Sequence, residues 1–196
     1  MKWNPQMGAI LLALCAALLL CSCSSVSTKY PLTADPKAID QEKFEGSWQS
    51  DKSVLRIQFA KSGIAQIAGL VWKDDNFEIA RGEMIVTQGN EYNFLSVRFR
   101  EDEEWMEGYL LVQYRFTDQG DLVLWRPNND AFEEAILKTL LTGDIQKSTH
   151  SSQIRITSEP GTLLKFINDP DNLTLFEYRE PMILRKIAED NRTKPK

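Results

Sequence analysis

The chain has 196 residues with 23 basic and 28 acidic side chains, which gives a formal net charge of −5 at pH 7. This acidic balance argues against nucleic acid as a partner and against docking on anionic lipid through a basic face. The length suits one domain that buries most of its chain surface without covalent staples.

The first 22 residues have the pattern of a secretory signal peptide. Met1–Gln6 carries Lys2 as its charged side chain, and Met7–Leu20 is an uninterrupted apolar run. A positive region followed by about 7–15 apolar residues is typical of such signals. A membrane-spanning helix needs about 20 apolar residues, so an uncleaved membrane anchor is the less favoured alternative.

The end of this segment reads Leu20-Cys21-Ser22-Cys23. It resembles the lipobox of bacterial lipoproteins, in which a leucine stands three positions before the modified cysteine and small residues lie between. The resemblance implies cleavage before Cys23, attachment of diacylglycerol to its thiol, and usually acylation of the new amine. Cys21 is the competing site, but it would put two leucines in the small-residue positions. Two or three acyl chains would anchor the protein permanently, since each buried methylene contributes about 0.8 kcal/mol.

The lipobox has two further consequences. Ser24 follows the modified cysteine and, by resemblance to lipoprotein sorting in Gram-negative bacteria, a residue other than Asp there implies export to the outer membrane, facing the periplasm. Because no cysteine follows Cys23, the mature chain would have no free thiol, disulfide or thiolate nucleophile.

Beyond the anchor, the sequence divides into a tether, one domain and a tail. Residues 23–43 comprise the lipidated cysteine and a flexible tether that contains Pro31 and Pro36. A coil of about 20 residues has an r.m.s. reach on the order of 25 Å. Residues 44–188 are interpreted as a single β-rich domain, and residues 189–196 as a polar tail that frays.

The first part of the domain predicts a series of antiparallel strands. In Leu55–Phe59, apolar side chains alternate with polar ones, as in a half-buried strand. Further extended runs cover Ile64–Trp72, Phe77–Thr87, Tyr92–Arg100, Gly108–Phe116 and Leu122–Trp125. Turn residues separate these runs roughly every ten residues, which predicts an antiparallel meander that forms a small barrel or a strongly curved sheet.

The last third of the chain changes period. Asn129-Asp130 predicts the start of a short helix that ends at Gly143, and Ser158 predicts the cap of a second short helix. Strands are predicted around Ile154–Ile156, at Leu173–Phe176 and at Met182–Ile187. The expected fold class is therefore β-rich α+β, with two short helices in the C-terminal third.

Gly46-Ser47-Trp48 opens the meander and resembles the Gly-X-Trp that begins the barrel in lipocalins and related calycins. In that family the indole plugs the closed end, and an Arg or Lys near the last strand packs over it. The resemblance assigns this role to Arg185 and implies an interior cavity with an apolar small-molecule ligand. Two alternatives remain: Trp48 packs at the start of an ordinary sheet, or the barrel is filled by its own side chains.

Residues 101–104 are the densest charge run, and Trp105 follows them. The run lacks the ligand spacing and glycine turn of a calcium loop, so a solvated hairpin tip is the preferred interpretation and no metal site is predicted. An exposed Trp105 is a candidate contact for a partner. The alternative is that it covers the mouth of the barrel.

The sequence shows no catalytic constellation. His150 is the one histidine, which excludes multi-histidine zinc sites. We therefore expect neither a cofactor nor enzymatic activity. The preferred function is a membrane-anchored envelope protein that binds a ligand or partner through its lipocalin-like domain.

Two other functions remain as alternatives. One is a structural or assembly accessory that docks another envelope protein. The other is a hydrolase, which would require two carboxylates meeting in a cleft. A filled interior would favour the accessory, whereas an apolar void of several hundred Å³ would favour a small-molecule carrier, as roughly 300–1,000 Å³ is usual for ligand pockets.

Overall fold

The computed structural model describes residues 25–33, 39–73, 76–101, 104–148 and 152–188. The predicted signal segment, Cys23, Ser24 and His150 lie outside the described residues. The elements of the described part, in chain order, are β1 (Ser25–Thr28), α1 (Gln41–Phe44), β2 (Gly46–Gln49), β3 (Ser53–Phe59), β4 (Ala65–Lys73), β5 (Asn76–Gln88), β6 (Asn93–Glu101), β7 (Glu104–Trp105), β8 (Tyr109–Phe116), β9 (Leu122–Trp125), α2 (Asn129–Leu137), β10 (Gly143–Lys147), β11 (Ser152–Ile156), α3 (Pro160–Ile167) and β12 (Met182–Lys186).

Eight strands close into an antiparallel barrel, which confirms the predicted fold class. Strands β2 to β6 pair in chain order, β6 pairs with β8, and β8 pairs with β9. β12 closes the ring because it pairs with β9 on one side and β2 on the other. Successive side chains of a strand point to opposite faces, so Leu55 and Ile57 are buried while Arg56 between them is exposed.

A second layer covers one side of the barrel. β1 pairs antiparallel with the start of β8 and parallel with β11, and β10 pairs with the other edge of β11. We call β10, β11 and β1 the side leaf. Together with α2 and α3, the side leaf packs against outward side chains of the barrel wall, among them Phe94, Leu111 and Val123. The wall formed by β6, β8 and β9 thus separates two apolar cores.

The prediction of a flexible tether is wrong for residues 25–33, which the structure describes. Ser25–Thr28 forms strand β1, and Val26 and Leu32 are buried in the second core. The Leu32 backbone N–H also donates to the Ser96 hydroxyl at 3.1 Å. Because the strand is four residues long, its alternation is too short to recognise in sequence, and its pairing partners are far away in the chain.

Several element boundaries in the last third also differ from the sequence prediction. α2 is capped by Asn128, whose side chain accepts from two backbone N–H groups, and it ends well before Gly143, which instead begins β10. The residue preceding α3 is Glu159 rather than the predicted cap Ser158. Ser158 bonds to Thr142 instead.

The two predicted closing strands had different outcomes. Met182–Lys186 is β12, as the sequence predicted. Leu173–Phe176 does not form a strand, and Phe176 makes an isolated bridge to Pro127.

Candidate functional site

One end of the barrel is closed around Trp48. The indole is 0% exposed, and its Nε1 donates to the Phe44 carbonyl at 2.7 Å. Lys186 stands opposite Trp48 in the β2–β12 register, with its Nζ 5.3 Å from the ring centroid. Nζ also donates to the carbonyls of Glu42 and Lys43 at 3.2 and 3.3 Å. Lys186 therefore joins the last barrel strand, the buried indole and the carbonyl end of α1.

The sequence predicted that Arg185 packs over Trp48. This prediction is wrong, because Lys186 occupies that position. Arg185 is exposed and stands opposite Gln49. The reason is the alternation of side chains along a strand. Leu184 points into the barrel, so Lys186, two positions later, lies on the same face and Arg185 lies on the outer face. The sequence did not show this, because β12 reads Met182-Ile183-Leu184-Arg185-Lys186, three apolar residues followed by two basic ones, without an alternation that marks the inward face.

Gly46 is fitted to this arrangement in two ways. Its φ of +130° is a backbone conformation that favours glycine. A Cβ at this position would lie 2.9 Å from the Lys186 Cε. The glycine of the Gly-X-Trp motif therefore lets the lysine side chain cross the strand.

Aromatic rings fill the space beside Trp48. Phe44 makes edge-on contacts with Phe59, Tyr114 and Phe116, at centroid distances of 6.1, 5.2 and 4.9 Å. Burial raises the pKa of Tyr114, so its phenol stays neutral at all ordinary pH values. This end of the barrel is packed with side chains.

The rest of the barrel interior is nearly full. Its cavity has a volume of about 40 Å³. The lining consists of Met84, Phe99 and aliphatic side chains from around the barrel. A cavity that holds a drug-sized ligand has roughly 300–1,000 Å³, so this void is about a tenth of the size that a carrier needs.

A shallow depression of about 480 Å³ lies outside the closed end. It is lined by Glu45, Gly46, Arg56, Lys186, Ile187 and Ala188. Arg56 donates to the Ser47 hydroxyl at 3.2 Å. Three of the six lining residues, Glu45, Arg56 and Lys186, are charged, which does not match the apolar ligand that the lipocalin resemblance implied.

Trp105 packs along the outside of β6. The guanidinium carbons of Arg98 and Arg100 lie 4.7 and 5.4 Å from its ring centroid. Arg98 is further held by Glu83, with Nε 2.7 Å from Oε1, and by the Tyr109 ring at 5.0 Å. The indole is 37% exposed, so part of it remains accessible while part stabilises this cluster.

Sequence reasoning missed an exposed apolar surface on the outer wall of the barrel. It consists of Val54, Leu70, Trp72, Phe77 and Ile79, which are between 46% and 64% exposed. We call these five residues the apolar face. The signal was hard to read because β4 carries apolar residues on both of its faces, as in Leu70-Val71-Trp72, so alternation did not distinguish inside from outside.

The described residues contain no group of three or more His, Cys, Asp and Glu side chains that could hold a metal ion. Among the helices in the described ranges, none has the length and apolarity needed to cross a membrane. Comparison with protein-family models, curated proteins and solved structures finds no match. The closed barrel end, the filled interior and the apolar face are therefore the features from which a function can be inferred.

Proposed function

We propose that this protein is a lipid-anchored protein of the bacterial cell envelope that acts as a structural or assembly accessory. Its barrel would serve as a rigid scaffold that presents its outer surface to another envelope protein. The observation that carries the proposal is the filled interior, with a void of about 40 Å³.

The filled interior favours an accessory over a carrier of apolar small molecules. A carrier would need room for its ligand between the strands, but the side chains that line the barrel leave only this small void. The void itself is lined by apolar side chains, without a carboxylate. That composition also gives no support to a hydrolase with its acid pair inside the barrel.

The anchor part of the proposal rests on the lipobox and on the preceding apolar run. Lipid on Cys23 would hold the protein at the membrane, and Ser24 favours the outer membrane. Because β1 begins at Ser25, one residue, Ser24, separates the lipidated cysteine from the folded sheet, a span of at most about 7 Å between the Cα atoms of Cys23 and Ser25. The side leaf would then lie close to the membrane, rather than being held away by a long tether.

Lipidation can be tested with an alkyne-tagged palmitate analogue in a Gram-negative host. The wild-type chain should incorporate the analogue and fractionate with the outer membrane, whereas Cys23→Ala should lose the label. Cys21→Ala is the matched control and should label normally. Normal labelling of the Cys23→Ala variant would contradict the proposed anchor.

The accessory role can be tested by native mass spectrometry of the full lipoprotein extracted in mild detergent. We expect the mass of the chain plus its covalent acyl groups, without a bound apolar molecule. A stoichiometric apolar adduct would favour the carrier. Loss of that adduct on Leu95→Trp, which adds bulk inside the barrel, would place it in the interior and overturn the accessory proposal.

A further inference from the structure

The outermost strand of the side leaf, β10, has an unpaired edge. Within the described residues, β10 ends the order of strands on its side of the sheet and pairs with β11 alone. The Thr157 backbone N–H donates to the Thr142 carbonyl at 2.9 Å. Because bonded and non-bonded pairs alternate along an antiparallel ladder, Asp144 and Gln146 also bond to β11. The backbone N–H and C=O groups that point away from β11, which we call the open edge, belong to Gly143, Ile145 and Lys147.

β10 lacks two features that keep many edge strands from pairing, namely a proline and a bulge. Its five residues contain no proline, and they pair with β11 in an unbroken register. A lysine can also protect an edge, but the Lys147 Nζ is held 2.5 Å from the Glu133 Oε1 of α2. The open edge is therefore a template for another extended strand.

Two exposed leucines lie beside the open edge. The ion pair of Glu133 and the position of Ile136, whose Cδ1 would be 2.8 Å from a Cβ on Gly143, place one flank of α2 along β10. Leu137 is one helical turn after Glu133 and lies on that flank. Leu140 follows in the turn that leads from α2 toward β10. These leucines are 69% and 56% exposed, so the surface beside the open edge is apolar.

We propose that two copies of this chain pair antiparallel through β10 about a two-fold axis, with Ile145 of each copy opposite Ile145 of the other. Ile145 then exchanges two backbone hydrogen bonds with its counterpart, and Gly143 exchanges two with Lys147 of the second copy. All groups of the open edge are satisfied in both copies, and the two side leaves form one continuous sheet. The inference goes beyond the proposed accessory function, because it makes the scaffold two-fold symmetric.

The side chains of β10 favour this register over its two neighbours. A shift by two residues in one direction would place Asp144 opposite itself, and like charges in opposite positions are destabilising. The shift in the other direction would put the half-buried Ile145 opposite Lys147. In the proposed register Asp144 stands opposite Gln146, whose amide can donate to the carboxylate. Gly143 stands opposite Lys147 and leaves room for its side chain.

A second copy also suits the apolar surface beside the edge. Two-fold interfaces are formed by the same surface on both subunits, so the α2 flank of one copy would meet the α2 flank of the other. Leu137 and Leu140 would then be covered by their own counterparts. An isolated extended peptide would satisfy the backbone of the open edge but would bring no helix to cover the leucines.

The symmetry is compatible with anchoring of both copies in one membrane. A two-fold axis perpendicular to the side leaf keeps equivalent atoms of the two copies at one height along that axis. β1 belongs to the same leaf as β10, so both Ser25 residues would lie at one level. This step rests on the proposed lipid anchor, whereas the pairing of β10 does not.

The register can be tested by disulfide crosslinking of the full lipoprotein in cells. Two differently tagged copies, one with Asp144→Cys and the other with Gln146→Cys, are expressed together and the membranes are oxidised. Opposite residues of a non-bonded pair have Cα atoms about 4.5 Å apart, within the range of a disulfide. Either variant alone would place its cysteines at diagonal positions about 7–8 Å apart. We expect at least about tenfold more adduct from the mixed pair than from either variant alone.

The backbone pairing can be tested by Ile145→Pro in both copies. It removes an N–H of the open edge and leaves the hydrogen bonds of β10 to β11 in place, so the mixed adduct should fall at least about tenfold. Ile145→Ala is the matched control, because it also loses the apolar side chain but keeps the N–H, and it should retain the adduct. Lys147→Pro and Lys147→Ala make the same comparison at an exposed position if the proline at 145 prevents folding.

Each outcome decides the inference. An adduct that requires the mixed pair of cysteines and is lost with proline would support it. Equal adducts from the single variants, an adduct that is indifferent to proline, a crosslink from position 144 to a different protein, or no adduct would overturn it. Palmitate labelling of the same cells separates this failure from that of the anchor. A labelled chain without the mixed adduct refutes the pairing alone, and a mixed adduct of an unlabelled chain refutes the anchor alone.

Discussion

At the scale of single residues, Lys186 joins three elements of the closed barrel end. Its ammonium group lies over the Trp48 ring and donates to two carbonyls at the end of α1. These carbonyls belong to a helix of four residues, which is too short to be stable without tertiary contacts. The lysine therefore helps to keep α1 across the barrel end.

Lys186→Met should lower the free energy of unfolding by about 1 kcal/mol, because it removes the cation–π contact and the hydrogen bonds at a solvent-accessible site. Urea denaturation followed by the fluorescence of the tryptophans would measure this loss. Arg185→Met is the matched control on the same strand and should change stability by less than about 0.5 kcal/mol. Equal effects of the two substitutions would contradict the role given to Lys186.

Gly46 is the second single residue on which the closed barrel end depends, because it lacks a Cβ. Gly46→Ala should destabilise the protein by about 1–3 kcal/mol, since the backbone is in a region disfavoured for alanine and the Cβ would meet Lys186 at 2.9 Å. Gly161→Ala is the control, because a Cβ there meets no atom within 4 Å. The same denaturation experiment should show that the Gly161 variant is as stable as the wild type or slightly more so.

At the scale of elements, β1 attaches the side leaf to the barrel. It contributes Val26 to the second core and pairs with both β8 and β11. Val26→Ala should cost about 2 kcal/mol through lost burial and a residual cavity. Hydrogen exchange should accelerate more in β11 than in barrel strand β4, since Val26 belongs to the second core and the inward side chains of β4 belong to the barrel core.

The control for this experiment is Val54→Ala, on the exposed outer wall. It removes the same atoms from a surface position and should leave exchange in β11 unchanged. If Val26→Ala accelerated exchange equally in β4 and β11, the barrel and the side leaf would unfold as one unit, and the separate role of β1 would be refuted.

The elements that sequence could predict are those with a long local pattern. Strands β3 to β6, β8 and β9 each carry enough apolar alternation or length to be recognised between turns. β1 and β10 have four and five residues, and the pairing of β1 depends on residues distant in the chain. Local propensity is a weak guide to such pairs, because strand preference depends on the neighbouring strands.

At the closed end and at the apolar face, too, local sequence could not predict which side chains point inward and which point outward. The Gly46-Ser47-Trp48 motif identified the strand that begins the barrel. Because β12 begins with three consecutive apolar residues, however, the sequence did not show that Leu184 and Lys186, rather than Arg185, share the inward face. Trp72 and Phe77 were recognised as strand residues, yet nothing local distinguishes an exposed from a buried aromatic in a strand that is apolar on both faces. Their exposure follows from the tertiary structure, in which the second layer covers β6, β8 and β9 rather than β3 to β5.

At the scale of the whole molecule, a short connection between lipid and sheet would fix how the domain faces the membrane. Eight strands about 4.8 Å apart and tilted by about 40° give a barrel roughly 16 Å across its backbone. The apolar face and β8 lie on opposite sides of that barrel. With lipid on Cys23, two residues before the start of β1, the two sides would differ in their distance from the bilayer by up to about this diameter.

This orientation can be measured with a single fluorophore on an introduced cysteine, which would be the one free thiol of the mature chain under the proposed acylation of Cys23. A fluorophore at Gln153, which stands beside Ser25, should be quenched by quencher-bearing lipids in the supporting vesicle. The same fluorophore at Phe77 should be quenched several-fold less. Inserting a flexible Gly-Ser segment of about 20 residues after Ser24 should remove the difference, since such a linker reaches on the order of 25 Å and lets the domain tumble. Equal quenching at both positions without the insertion would show that β1 does not hold the domain in a fixed orientation, and the apolar face would then be free to meet the membrane itself.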